Sequence, residues 1–389
     1  MYADASYIYG QRFLGDGISL TADVKSWQKR RDAFGPAFHR KCLKEYMSSF
    51  NSTANILLEH LGTMADGKTK VCMYDQLYQA ALDVICKVGF GMDMDIISGK
   101  NTEFTEAISL TLVGIHVAIF EQPFHKWNVF QYPFQRRVIK AVQFLRETGR
   151  KVIEERKNAM NEGEEVPDDI LQHIIEQQEA DPNLGIEDML DDFLTFFIAA
   201  HETTASLMSF CLLEIGGHPE IMESLVGEVF DVLGDKQNVA FDDLAKLYQL
   251  GLAMKETLRL YPPVAATLRT SGTGQDIGGY KIPANTNLMV SSFVNSHSPE
   301  FWTNPEEFNP YRFDNEELVR RSCYTTFPFS LGPRNCIGKK FAQIEAKILL
   351  SRFLQTFKFS LVPGQSGEVI ERLTIRPKDG VMCTLTKRL

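Results

Sequence analysis

From Asp192 to Gly217 the chain reads DFLTFFIAAHETTASLMSFCLLEIGG, apolar on nearly every face, with its polar residues gathered at the centre. A helix with no solvated stripe has to be surrounded by other elements, and the pair Gly216-Gly217 marks where it stops. A membrane span is the competing reading. His201 and Glu202 interrupt the run and Glu214 closes it, which counts against a span. The expectation is a buried helix through the middle of a large core.

The rest of the chain can supply that core. With 389 residues, 44% of them hydrophobic, one large domain or two ordinary ones are open on length. VKSWQKRRDAFGPAF is amphipathic up to Gly35-Pro36, and CMYDQLYQAALDVICKVGFG keeps helical spacing up to Gly89 and Gly91. YPFQRRVIKAVQFLRETGRKVIEERKNAM reads as a long charged helix. After LAMKETLRLYPP, the stretch GQDIGGYKIPANTNLMVSSF has the glycines, prolines and alternation of short strands and tight turns. FAQIEAKILLSRFLQTF returns to helical period, and KFSLVPG with GVMCTLTKRL reads as a closing pair of strands. The expected fold is mainly α with a small β part near the C-terminus.

Charge and cysteine usage narrow the function. A net charge of −9, from 41 basic against 50 acidic residues, argues against a nucleic-acid binder and confines any docking of an acidic partner to a local patch. Seven cysteines with no CxxC pair read as reduced thiols rather than a disulfide framework or a zinc site. The start MYADASYIYGQRFLGDG does not read as a signal peptide, and no uninterrupted apolar run approaches the roughly 20 residues of a spanning helix.

Four constellations carry chemistry. In FPFSLGPRNCIG, Cys336 sits in a turn ahead of a helix expected to start near Ile337, where the helix dipole and free N–H groups favour thiolate. Gly332 and Gly338 are expected to supply positive φ and let a flat group approach the backbone, and Arg334 to offer a cation to a carboxylate. In AAHETTA, a buried acid and two hydroxyls are either a satisfied network or a working site. HExxH zinc spacing fails there, because Ala205 stands where a second histidine is needed. In KETLR, Glu256 and Arg259 share one helix face, and in WQKRR so do Trp27 and Arg31. Taken alone, ordinary surface ion pairing explains the first spacing and an amphipathic surface helix the second.

Taken together, FSLGPRNCIG, HETT, KETLR and NPYRF resemble the haem-thiolate loop, oxygen-activation helix and Glu–Arg–Arg network of the cytochrome P450 family. The resemblance implies that fold, haem b with Cys336 as axial ligand, Phe329 shielding the sulfur and Arg334 on a propionate. It implies that Gly338 lets the following helix approach the porphyrin and that Glu202 and Thr203 form a proton relay. It also implies a structural network of Glu256, Arg259 and Arg312, with Trp27, Arg31 and Arg269 at the propionates. Ala200 stands where the family usually has glycine.

Within the family, stretches such as RFLGDGISL, GEEVPDDILQHIIE and KETLRLYPPVAATLR resemble sterol hydroxylases of the cholesterol 24-hydroxylase type. That implies hydroxylation of a sterol or related lipid with O2 and electrons from NADPH through cytochrome P450 reductase, on the cytosolic face of the endoplasmic reticulum. Expected pocket residues are Phe193, Phe197, Ala200, Val264, Ala265, Ala266 and Thr267. Lys29, Arg30, Lys339 and Lys340 are expected to form the basic docking patch. The aromatic segment 119–134, with Phe124 and Trp127, suits a membrane interface. By the same resemblance the chain is expected to be one haem domain, entered after the N-terminal membrane helix and first sheet strands. The rival readings are a haem-thiolate isomerase or dehydratase and a non-catalytic lipid- or haem-binding remnant.

Overall fold

The computed structural model describes residues 5–121, 129–314, 324–371 and 373–388. Its main helices are α1 (Val24–Phe34), α2 (Met47–Gly62), α3 (Met73–Phe90), α4 (Thr102–His116), α5 (Tyr132–Asn161), α6 (Ile170–Ala180), α7 (Ile186–Gly217), α8 (Pro219–Leu233), α9 (Tyr248–Leu260) and α10 (Lys339–Thr356). The boundaries follow local chemistry. The Asp23 carboxylate accepts from Ser26 N–H to cap α1, and Gly91, left-handed at φ 64°, ends α3.

The strands are short and antiparallel: β1 (Tyr7–Ile8), β2 (Gln11–Arg12), β3 (Val71–Cys72), β4 (Ala266–Thr270), β5 (Gln275–Ile277), β6 (Tyr280–Ile282), β7 (Asn287–Ser291), β8 (Phe357–Leu361), β9 (Val369–Glu371), β10 (Ile375–Pro377) and β11 (Met382–Lys387). The expected closing pair is β8 with β11, and β3 adds to it in the order β3-β11-β8. β5 and β6 turn through Gly278-Gly279, both at positive φ, the geometry of a two-residue hairpin loop.

The apolar segment is the axis of this arrangement. α7 packs against α3, α5, α6, α8, α9 and α10 and against β8 and β10. It begins at Ile186, before the apolar run, where the Asp188 carboxylate in the first turn accepts from the Gly185 N–H at 2.9 Å. Its first turns are held by charge: buried Asp191 accepts from Arg12 (2.6 Å), Arg146 (3.0 Å) and Asp16 N–H (2.8 Å). Asp192 accepts from Arg30 and from Ile18 N–H. These bonds fasten residues 12–18 across the helix.

Among the described residues two helical stretches, Thr102–Ile119 and Ile186–Gly217, are long and apolar enough by composition to cross a membrane, though polar residues interrupt both, Glu103 and Glu106 in the first and His201 and Glu202 in the second. In the second, 78% of the apolar window is buried inside the protein, as a core helix requires. Of the aromatic segment, Phe124 and Trp127 lie outside the described residues, while Phe130 and Tyr132 at its far end are 92% and 58% exposed.

Candidate active site

The cysteine loop folds back on itself before α10. Ser330 N–H donates to Phe327 O at 2.8 Å, Asn335 N–H to Gly332 O at 3.1 Å, and Cys336 N–H to Phe329 O at 2.8 Å. The turn needs left-handed backbone at Gly332 (φ 74°), which glycine adopts without strain. Gly338 does not share that conformation, having φ −82° as the cap of α10. Nor does the packing of the protein alone demand glycine there, since a Cβ would make only ordinary contacts, 3.9 Å from the Cys336 sulfur and from Phe38.

Cys336 lines a cavity of about 300 Å³ that is partly open to solvent, so the residue is accessible through the cavity while the surrounding protein desolvates it. Burial pushes its thiol above the ordinary value, against the opposing pull of Gly338 N–H, Arg31 and Lys339. The expected drift toward thiolate is therefore reversed in the protein alone. α10 starts at Lys339 rather than Ile337, and desolvation outweighs the remaining dipole.

The opposite wall is one face of α7. Phe196, Ala199, Ala200, Thr203, Thr204 and Leu207 line the cavity, an i, i+3, i+4, i+7 stripe with its smallest residues at the centre. The helix is unbroken at Ala200, and the Thr203 and Thr204 hydroxyls donate to the carbonyls of Ala199 (2.9 Å) and Ala200 (2.8 Å). Phe193 and Phe197 are not pocket residues. They are rotated off this stripe into an aromatic core, with Phe90 at 4.3 Å from Phe193 and Phe104 at 5.0 Å from Phe197, pairs that contribute about 0.5–1.5 kcal/mol each beyond area burial.

Past the prolines, Val264, Ala266 and Thr267 line the cavity as expected. Ala265 does not; its carbonyl accepts from Phe293 N–H and Ser291 Oγ. Sequence reasoning missed Phe38, Ile85 and Val290, which come to the cavity from remote elements. Phe196 and Leu207 were findable, because they flank the Ala-Ala/Thr-Thr stripe at helical spacing.

The expected relay pair is split by the helix. Thr203 lies in the cavity wall, whereas Glu202, 4% exposed, sits behind it among Tyr74, Tyr78 and Arg376. Neighbouring residues on a helix point about 100° apart.

The cations around the loop are already engaged. Arg334 lines the cavity, donates to Thr21 O at 2.8 Å and stacks 4.7 Å above buried Trp27. Arg31 grips the loop itself, donating to Asn335 O (2.9 Å) and Oδ1 (2.8 Å). Arg269 is away from the cavity, exposed and bonded to Leu268 O. Arg30 leaves the expected surface patch, being 4% exposed and paired with Asp192. Lys29 pairs with Asp181, Lys339 lies 5.7 Å above the Phe329 ring, and Lys340 is exposed. Glu256, Arg259 and Arg312 do come together: Glu256 accepts Arg259 through both oxygens at 2.8 Å and Arg312 at 2.9 Å.

A mainly helical fold with a slot between a stripe of alanine and threonine and a lone sulfur defines a protein shaped to hold a flat group against a cysteine. The family profile described as cytochrome P450 matches residues 3–384, and the chain belongs to the cytochrome P450 family. It is 31% identical to cytochrome P450 4d2 of Drosophila melanogaster over 97% of this chain and 78% of that protein. To cytochrome P450 4F3 of Homo sapiens it is 33% identical, over 90% of this chain and 70% of that protein. A crystal structure of a mutant heme domain of cytochrome P450DA superposes with a TM-score of 0.86 at 25% identity, over 97% of this chain and 81% of that one. The expected likeness to the cholesterol 24-hydroxylase type finds no support in these relatives.

The protein is accordingly a cytochrome P450 monooxygenase, of a family that uses haem b and reductase-derived electrons. The site fits that group: the slot has the Cys336 thiol on one side, the small residues Ala199, Ala200, Thr203 and Thr204 at the centre of the helix wall, and Arg334, backed by buried Trp27, in its lining.

Proposed function

We propose that this monooxygenase hydroxylates an unactivated C–H bond of an apolar lipid, a sterol and a fatty acid being the two classes its apolar wall admits. The carrying observation is that the cavity runs from Cys336 to a wall of Phe196, Leu207, Val264, Ala266 and Val290, which offers a lipid apolar contact and few hydrogen bonds. Cys336 would hold the haem iron, Arg334 and Trp27 its propionate edge, with Phe329 and Gly338 beside the sulfur. Arg31 acts on the loop through Asn335. When bound, haem supplies uptake of dioxygen and two electrons and insertion of one oxygen atom, with thiolate ligation favouring O–O cleavage.

The chain's own residues position and protonate. Ala199 and Ala200 leave space over the slot, and the apolar wall excludes water from the substrate carbon. Thr203 Oγ, now bonded to Ala199 O, can turn to hold a water in the cavity, and Glu202 acts as the acid that recharges it. Isomerase chemistry has no use for such a relay. A reductase would dock at Lys29, Lys339 and Lys340, with the protein at the cytosolic face of the endoplasmic reticulum.

Optical titration of the haem-loaded protein with cholesterol and with a C16 fatty acid tests the substrate class, followed by turnover with reductase and NADPH. A hydroxylated lipid formed only with NADPH is expected; an isomerised product formed without it overturns the reading. Ala266→Phe is expected to weaken lipid binding at least ~10-fold, within the range of a filled apolar pocket, and to leave the reduced carbon monoxide spectrum unchanged.

A further inference from the structure

Behind α7, on the side away from the cavity, two pairs of residues one helical turn apart face each other. Tyr74 and Tyr78 project from α3, with ring centroids 6.0 Å apart, and Glu202 and Ser206 project from α7. The edge of the His201 ring meets Tyr78 at 4.7 Å. Its Nδ1 hydrogen bonds Phe197 O at 2.7 Å; a carbonyl only accepts, so Nδ1 carries the proton and Nε2 is left as an acceptor. Burial lowers the His201 pKa to about 4, so the ring is neutral.

The cluster is rich in polar atoms that the protein leaves short of partners. Tyr78 Oη and His201 Nε2 are buried with no hydrogen bond among the described residues, and Tyr74 Oη and Ser206 Oγ, also buried, have only each other and Arg376 within loose hydrogen-bonding reach. Three hydroxyls and a ring acceptor beside a carboxylate provide the two to four partners that an internal water needs. Leaving such groups dry would be costly, and water-bridged they form a connected chain.

The cluster also reaches the surface. Arg376 on β10 is half-buried and stands 5.5 Å from the Tyr74 ring; the Tyr74 phenol feels the charges of Glu202 and Arg376 and lies within loose hydrogen-bonding reach of Arg376 and Ser206. We propose that Tyr74, Tyr78 and Ser206 line a water-filled inlet that carries protons from the surface at Arg376 to Glu202, with Tyr74 and Ser206 as positioning residues for oxygen activation. The proposal rests on Glu202 being the relay acid. In each passage a hydroxyl accepts one proton and releases another. Glu202 gains one from the inlet and yields one to water beside Thr203, so a single solvent proton is delivered and the inlet is unchanged.

Three variants of the haem-loaded protein test it: Tyr74→Phe, which keeps the ring under Arg376, Ser206→Ala and Glu202→Gln. High-resolution diffraction of the unmutated protein is expected to show ordered water joining Tyr74 Oη, Ser206 Oγ and His201 Nε2, and a dry cluster overturns the inlet. Product formed per NADPH is expected to fall roughly tenfold in Tyr74→Phe and Ser206→Ala, with peroxide release rising. That is less than the ~10²-fold expected of Glu202→Gln, which removes the donor itself. Uncoupling in Glu202→Gln with full coupling in the other two rejects the inlet alone. Full coupling in Glu202→Gln rejects the relay and the inlet with it.

Discussion

Cys336→Ser is expected to abolish the strongly red-shifted Soret band of the reduced carbon monoxide complex and to lower lipid hydroxylation at least ~10³-fold, about 4 kcal/mol in barrier. The substitution is chosen because it separates ligation from folding. The loop is held through backbone bonds, Cys336 N–H to Phe329 O and Asn335 N–H to Gly332 O, and through Arg31 on Asn335, none of which uses the sulfur. Haem-free stability is therefore expected to change by less than ~0.5 kcal/mol, as for a surface substitution that breaks no named interaction. Only the electron donation of a thiolate is lost, which serine cannot supply. A persistent red-shifted band in Cys336→Ser would show that another sulfur ligates the iron. The raised thiol in the haem-free protein adds a check on sign: because desolvation holds the proton on sulfur, haem binding should release a proton, seen as acidification of a weakly buffered solution.

What could be read from the chain, and what could not, divides by range in sequence. The helices announced themselves through local period and punctuation, from Gly35-Pro36 after α1 to Gly91 after α3. The Cys336 loop, Glu256 with Arg259, and Trp27 are likewise short patterns, and each lies where its neighbours in sequence place it. β3 was invisible, being two residues long and defined only by pairing with β11, whose Met382 lies opposite Cys72. Cavity residues contributed by other elements, such as Ile85 and Val290, were equally out of reach. The error at Phe193 and Phe197 was one of phase. An all-apolar helix has no polar stripe to fix its rotation, and bulk was taken for pocket where the small residues Ala199, Ala200 and Thr203 marked the open face. Arg31 lies one turn from Trp27 as its spacing implies, and in the protein alone its fork holds Asn335.

Glu256→Ala is expected to destabilise the fold by about 3–5 kcal/mol, a large share of the roughly 5–15 kcal/mol that holds a folded protein together. Neither Glu256 nor Arg259 is exposed at all, so deleting the carboxylate leaves the Arg259 charge buried without a counter-ion from Glu256, facing the carbonyls of Ser296 (2.7 Å), Pro305 (2.7 Å) and Glu307 (3.2 Å) and the Trp302 ring at 5.2 Å. It also removes the acceptor of the Arg312 Nε–H and of the Asn309 N–H. Arg259→Lys should not rescue the site, because a point-like ammonium cannot reproduce two parallel bonds to Glu256 and three to carbonyls. The damage should reach the haem as well as the fold. Ser296, whose carbonyl Arg259 holds, donates from its own hydroxyl to Thr326 at 2.8 Å, and Phe327 N–H donates to Ser292 on the same short helix at 3.0 Å. The network thus fixes the point where the Cys336 loop begins. Both variants are expected to unfold at lower denaturant concentration and to lose haem faster to an acceptor protein. A Glu256→Ala variant that melts normally but sheds haem would assign the network to the loop alone, while normal behaviour in both assays would remove it from either role.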